Sequence, residues 1–366
     1  MKKLLAVVMS VVIAAAVMCP VLTASAAGDT DYTIVNPYET VDWDSWQYYK
    51  ANLHTHSVAS DGDETITDMV GLYYDAGYDI LALTDHGVVS HGWNLPRKTN
   101  GVFNYFRKAD PMSDEDYQRI TTGSDRGGRG MTDITGGIEI NMAVFSKTHV
   151  NGYFTEYGQG EWGIENDYRT APAKVEEMGG YSVLNHVGDW VNSNRYPERS
   201  HWDVFITYFA NIFKDYHTCL GMEIKNNTDN VTRADRALWD ELLQVVIPTG
   251  RNIWAFADDD SEYRNEVGRS FEYFVLPENT EETVKTGMIN GTFFACSRYE
   301  KHIQAGVDDF EGNGNVPLVK NIIVDQQANT IELVLDESRD CSLIEWVADG
   351  KVISNDLKID LNDFES

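Results

Sequence analysis

The sequence predicts an α/β fold: a parallel sheet closed, or nearly closed, into a barrel and followed by a small antiparallel β module. Three observations predict it. From Tyr49 onward, apolar strand-like runs alternate with helical patterns, the signature of β–α units in a parallel sheet. Six or more such units follow one another, which favours a barrel over an open sheet. Beyond about Val316 the pattern changes to alternating strands joined by a turn.

In chain order, residues 1–27 carry Lys2 and Lys3, an apolar run and the small residues Ala24, Ser25, Ala26 and Ala27, the pattern of a cleaved secretory signal. The protein is therefore expected to be secreted or displayed at the cell surface, with no membrane span once that segment is removed. Residues 28–48 form an acidic, aromatic leader, and 49–305 the barrel. Within the barrel, "YKANLH", "YDILALTDH", "ITGGIEI", "YSVLNH", "TCLGMEIKN", "NIWAFAD", "SFEYFVL" and "GTFFACS" read as strands. "TITDMVGLYYDAG", "APAKVEEMGG", "VFITYFANIFKDY", "ADRALWDELLQVV" and "TEETVKTGMIN" read as helices. Residues 91–131 are long for a βα connection and read as a lid or substrate-binding insertion. Residues 315–366 hold "NIIVDQQANTIELVLDE" and "SLIEWVADGKVIS", too few strands to be stable unless packed on the barrel, or else part of a longer module.

A formal net charge of −29 repels phosphate backbones and excludes a broad nucleic-acid surface, while leaving room for an acidic cleft that attracts cations. After the signal, Cys219, Cys296 and Cys341 offer neither a disulfide framework nor a paired-cysteine zinc motif. Any metal must be held by nitrogen and oxygen.

Such ligands recur where apolar strands end. His54 and His56, two apart in an extended segment, point into one space, and Asp61 follows in a glycine-containing loop. His86, Glu139, His149, His186 and Asp260 with Glu262 lie at later strand ends, which converge on one mouth of a parallel barrel. Mixed imidazole and carboxylate without sulfur suits two or three divalent ions, Mn, Zn or Fe. A lone histidine is more often packing than a ligand; the joint placement changes the odds.

"HTHS" with "SDG", then "LTDHG", "GIEI", "THVNGYF", "LNH" and "DDDSE" resemble the PHP (polymerase and histidinol phosphatase) family, in particular its secreted CehA/McbA-like metallohydrolases. The resemblance spans roughly residues 49–297. It implies a distorted (β/α)7, TIM-like barrel and a di- or trinuclear centre that hydrolyses phosphate esters with a metal-bridging hydroxide. Carried over position by position, the family's ligands fall on His54, His56, Asp61, His86, Glu139, His149, His186 and Asp260. The family usually closes the series with Asp-x-His, where this chain has Glu262, so the outermost ligand is altered.

Asp85 and His91 are the candidates for protonating a leaving group. Arg97, Arg126 and Arg129 are candidates to reach an anionic substrate, against the commoner alternative of plain solvated charge. Glu223 is expected to orient a ligand or touch substrate, with Asn226 beyond it. The favoured function is a secreted phosphoesterase acting on a small-molecule or glycan-linked phosphate ester. An ester, carbamate or amide hydrolase using the same centre is one alternative, and a non-catalytic cell-surface binding protein with structural metal is another.

Overall fold

The structure, a computed structural model, describes residues 6–8, 12–16, 32–98, 109–141, 147–160, 167–302, 308–312 and 315–364. Most of the expected signal segment and residues 99–108 of the insertion lie outside this set; Ala6–Val8 and Val12–Ala16 are described as short strands.

Two five-stranded sheets form the centre of a mixed α/β fold. In the first, β1 (Gln47–Asn52) lies beside β2 (Ile80–Leu81) and β2 beside β3 (Thr132–Asp133), all parallel. In the second, β6 (Tyr181–Leu184), β7 (Cys219–Asn226) and β8 (Trp254–Asp258) are parallel neighbours. Here the structure departs from an all-parallel expectation. β4 (Ile138–Asn141) and β6 both pair antiparallel with β5 (His149–Tyr153). At the edge of the first sheet, β9 (Ser270–Leu276) and β10 (Phe293–Ser297) also run antiparallel. Isolated parallel bridges, Thr55 to Ser261 and His86 to Glu139, join the two sheets just beyond β1, β2 and β8.

Helices cover the outer faces. α1 (Ile66–Asp75) begins where the Thr65 hydroxyl accepts from the Asp68 amide, and buries Ile66, Met69, Val70, Tyr73 and Tyr74, the one-face spacing of a helix. Burying each large apolar side chain contributes about 1.5–3 kcal/mol. The helix stops before Gly77, whose φ of +80° costs least in glycine. α2 (Asp114–Thr122) arises within the insertion, where no helix is expected from the sequence. α3 (Thr170–Glu177), α4 (Val187–Val191), α5 (Asp203–Asp215), α6 (Asp235–Val246) and α7 (Glu281–Asn290) complete the layer. α5 and α6 contribute Phe209, Phe213, Leu238, Trp239 and Leu242 to the main core.

The C-terminal strands Val319–Asp325, Thr330–Leu335 and Lys358–Asp360 form an antiparallel sheet. Their Ile322, Ile331, Leu333 and Ile359 share a core with Tyr38 and Val41 of the leader and with Val275 and Phe294 of β9 and β10. The leader and this module thus pack on the same face of the first sheet.

Candidate metal centre

The site lies where chain segments leave the two sheets. Beyond β1, the His54 carbonyl accepts from the Asp260 amide at 3.0 Å and the His56 amide donates to the Ser261 carbonyl at 3.0 Å, lacing the segment after β1 to the one after β8. The loop that returns Asp61 is equally tight: a Cβ on Gly62 would lie 2.8 Å from the His56 carbonyl carbon, so only glycine fits. Two backbones are strained. His186 (φ +28°) and Asp260 (φ +46°) occupy positive φ, uncommon outside glycine and concentrated at functional sites.

The side chains meet around Glu139, which is 1 % exposed. Its Oε1 lies 3.3 Å from His54 Nε2, 3.2 Å from His149 Nδ1 and 3.5 Å from His186 Nε2. Its Oε2 lies 3.3 Å from His56 Nε2 and 3.1 Å from His86 Nδ1. Asp260 Oδ1 adds contacts of 3.1 Å to His54 and 3.0 Å to His56, and Asp61 spans His56 (3.4 Å) and His86 (3.3 Å). Three groups have ligand atoms within 4.8 Å of one another: His54, His56, Glu139 and Asp260; His56, Asp61 and His86; His86, Glu139 and His149. β5 explains how His149 joins them. The histidine opens its strand, and because β5 runs against its neighbours, its start lies at the rim where theirs end.

These residues fit divalent cations. Buried His86 Nδ1 has no hydrogen-bond partner, although Glu139 Oε2 is 3.1 Å away, so two electron-rich atoms approach without the geometry of a hydrogen bond. His54 Nε2 and His56 Nε2 lie 3.2 Å apart, two imidazole nitrogens turned toward one point. A nitrogen and oxygen donor set of this kind suits Zn, Mn or Fe(II). His54 is also oriented: its Nδ1 lies 2.6 Å from Glu223 Oε1, which leaves Nε2 for the cluster.

Electrostatics follow from crowding. Burial works against protonating His54, but Asp260, Glu139 and Glu223 outweigh it and carry the pKa well above the ordinary histidine range. Burial would raise Glu139, yet His86, His54 and His149 hold it well below the usual carboxylate range. For Asp260 too, burial is outweighed by His54 and His56, and its pKa is lowered. With no cation, imidazolium and carboxylate neutralise one another; a divalent cation would replace those protons.

The other expected residues fall elsewhere. Glu223, 0 % exposed, accepts from His54, from the His186 amide at 2.8 Å and from Asn226 Nδ2 at 3.1 Å, and Asn226 also donates to Asp260 Oδ2 at 3.0 Å. Both therefore orient the cluster. Glu262 belongs to none of the three groups; burial, then the negative charge of Asp61, raises its carboxyl pKa. Asp85 is occupied by Arg97 (2.8 Å), Ser57 and Ser60, which removes it as a free acid. His91 pairs with Glu156 at 3.4 Å beside Thr135, just before β4, and Thr155, just after β5, at the end of β5 away from His149. Arg126 donates to the Tyr78 carbonyl and Arg129 to Asp79 and the Tyr48 carbonyl, so both fasten the insertion to the fold. Sequence reasoning missed Asn185, whose Nδ2 donates to Glu139 Oε1 at 2.8 Å, and Ser60, which contacts His56 and Asp61. Asn185 sits immediately before His186, and that adjacency was the available signal.

No family model matches the sequence, and no curated protein matches it. Solved structures show similarity. A two-domain protein from Bacteroides vulgatus containing a predicted PHP-like metal-dependent phosphoesterase is 16% identical, with 84% of each chain covered and a TM-score of 0.48. A protein from Bifidobacterium adolescentis put forward as a metal-dependent phosphoesterase is 16% identical over 66% of this chain and 96% of that one, TM-score 0.37. A lesion-specific endonuclease from Pyrococcus furiosus is 13% identical over 68% and 58%, TM-score 0.38. At these identities no activity passes from them to this chain.

Proposed function

We propose that the chain is a secreted, metal-dependent hydrolase of the PHP kind, CehA/McbA-like, acting on phosphate esters, either small molecules or glycan-linked groups. One observation carries this reading: six segments distant in sequence deliver five histidines and three carboxylates to one buried cluster centred on Glu139. A structural site needs about four ligands; this cluster offers seven in its three groups, with His186 beside them and in none. In this reading β1, β2 and β4 to β8 make a distorted seven-stranded barrel, closed through the two isolated bridges.

His54, His56, Glu139 and Asp260 would hold one cation, and His86, Glu139 and His149 a second. His56, Asp61 and His86 form a third, overlapping group, an alternative use of the same two imidazoles. Bound there, divalent cations supply Lewis acidity, lowering the pKa of water and neutralising phosphoryl charge. The chain's own part is placement: Glu223 fixes the His54 ring, Asn185 fixes Glu139, and Asn226 fixes Asp260. The flanking backbone is laced tightly enough to keep these positions before substrate arrives.

The test is direct. Metal-free protein supplied with Mn(II) or Zn(II) should hydrolyse an aryl phosphate, and His56→Ala should lose both bound metal and turnover. Equal activity in the two proteins would reject the assignment, and turnover of carboxyl esters or amides alone would replace the phosphoester reading. Export is tested by recovering protein that lacks residues 1–27 from the medium of expressing cells.

A further inference from the structure

Among the described residues of the insertion, Arg97 reaches behind the cluster. The Arg97 and Asp85 side chains are each 0 % exposed. Arg97 Nη1 donates to Asp85 Oδ2 at 2.8 Å and Nη2 to Ser90 Oγ at 2.7 Å. Asp85 also accepts the Ser57 amide at 2.7 Å and contacts Ser60 Oγ at 2.9 Å. Ser60 Oγ in turn lies 3.3 Å from His56 Nδ1 and 3.1 Å from Asp61 Oδ1. A hydroxyl donates one proton and accepts others. The consistent assignment has His56 Nδ1–H donating to Ser60 Oγ, which donates to Asp85, whose remaining charge is met by Arg97. That order leaves His56 Nε2 unprotonated toward Glu139 and Asp260, the form a cation requires.

We propose that Arg97 is a positioning residue of the metal centre: through Asp85 and Ser60 it sets the tautomer and ring orientation of His56. This rests on the metal-centre reading above. Arg97 is then a support of the cation site, and a substrate-facing role for it is replaced, because Nη1 and Nη2 are both engaged inside the protein. Asp85 immediately precedes His86, so the same clamp places a second imidazole.

The test titrates metal-free full-length protein with Mn(II) and with Zn(II), reading affinity and stoichiometry directly, with far-UV circular dichroism as the check on folding. Arg97→Met alone strands a buried carboxylate and endangers the fold. The informative variants are therefore the pair R97M/D85N, which removes both charges together, and S60A, which removes only the relay hydroxyl. Each is expected to bind at least one cation roughly 10- to 100-fold more weakly than wild type, the usual cost of losing a residue that orients a ligand. R97K, which keeps a cation beside Asp85, should recover most of the loss. R126M, an anchor of the same insertion with no link to the cluster, should bind like wild type. Wild-type affinity in folded S60A and R97M/D85N overturns the inference and leaves the metal centre standing. A wild-type protein that takes up no cation overturns the metal centre, and this inference with it.

Discussion

His54 Nδ1 lies 2.6 Å from Glu223 Oε1, and neither residue has any exposed surface. The contact ties the first histidine of the sequence motif to the middle of β7. Replacing Glu223 by Gln keeps the shape but removes the charge that favours Nδ1–H. Cation affinity should fall about 10- to 100-fold while the protein stays folded. Calorimetric titration would read this, and unchanged affinity would show that the ring needs no such partner.

Glu139 joins two of the three ligand groups. Glu139→Gln removes a shared charge, so bound metal should drop by more than one cation per chain, whereas Asp61→Asn should cost one at most. Elemental analysis of the purified variants separates the two outcomes; equal losses would contradict a central role for Glu139.

Binding to the native state alone stabilises it. A cation present at 100 times its dissociation constant should add about 2.7 kcal/mol per independent site. Thermal melts with and without chelator should therefore shift by several degrees in wild type. The shift should shrink in His56→Ala, and a persistent full shift would place the cation elsewhere.

Burial pushes the Asp235 carboxyl up to about 8, while its Oδ2 accepts the Gly188 amide at 2.9 Å and Oδ1 lacks a partner. An acid raised on folding keeps its proton in the native state after the unfolded chain has released it. The native state is therefore penalised progressively from about pH 4 to about pH 8, by up to ~1.4 kcal/mol per pH unit. Asp235→Asn removes that slope, so the variant should gain stability relative to wild type as pH rises across this window. Denaturant melts at pH 5 and pH 8 that show no change in the difference would refute it.

Asp259 accepts amide protons from Gly268, Arg269 and Ser270 at 2.6–2.8 Å and the Tyr73 hydroxyl at 3.0 Å. Asp259→Ala would strand these buried donors and should destabilise the fold by roughly 3 kcal/mol or more. A loss below about 1 kcal/mol in urea would mean that water satisfies them.

The sequence made part of this legible. The His54 and His56 pair, the glycine-bearing loop before Asp63, and the helices α1, α5, α6 and α7 follow from spacing of two, turn chemistry and one-sided apolar faces, all of which are local properties. Strand direction is not local. Nothing in "THVNGYF" tells that β5 runs against its neighbours, so His149 was expected at a strand's end and stands at its start. Glu139 likewise occupies the second position of β4. The buried engagements of Arg97, Arg126 and Arg129 were equally hidden, because a charged residue in an irregular segment carries no periodicity to betray its partner. α2 escaped notice for the opposite reason: its exposed, polar sequence buries only Ile120.

The Ile34 amide donates to Gln326 Oε1 across 292 positions of chain, at the margin of the core that unites leader and C-terminal strands. During synthesis the leader emerges well before the C-terminal strands and then waits, its aromatic and aliphatic side chains uncovered, until those strands have been added. Such late closure delays folding and leaves sticky intermediates. Removal of the strand Lys358–Asp360 should therefore be felt first in the leader, as greater protease sensitivity around residues 32–41.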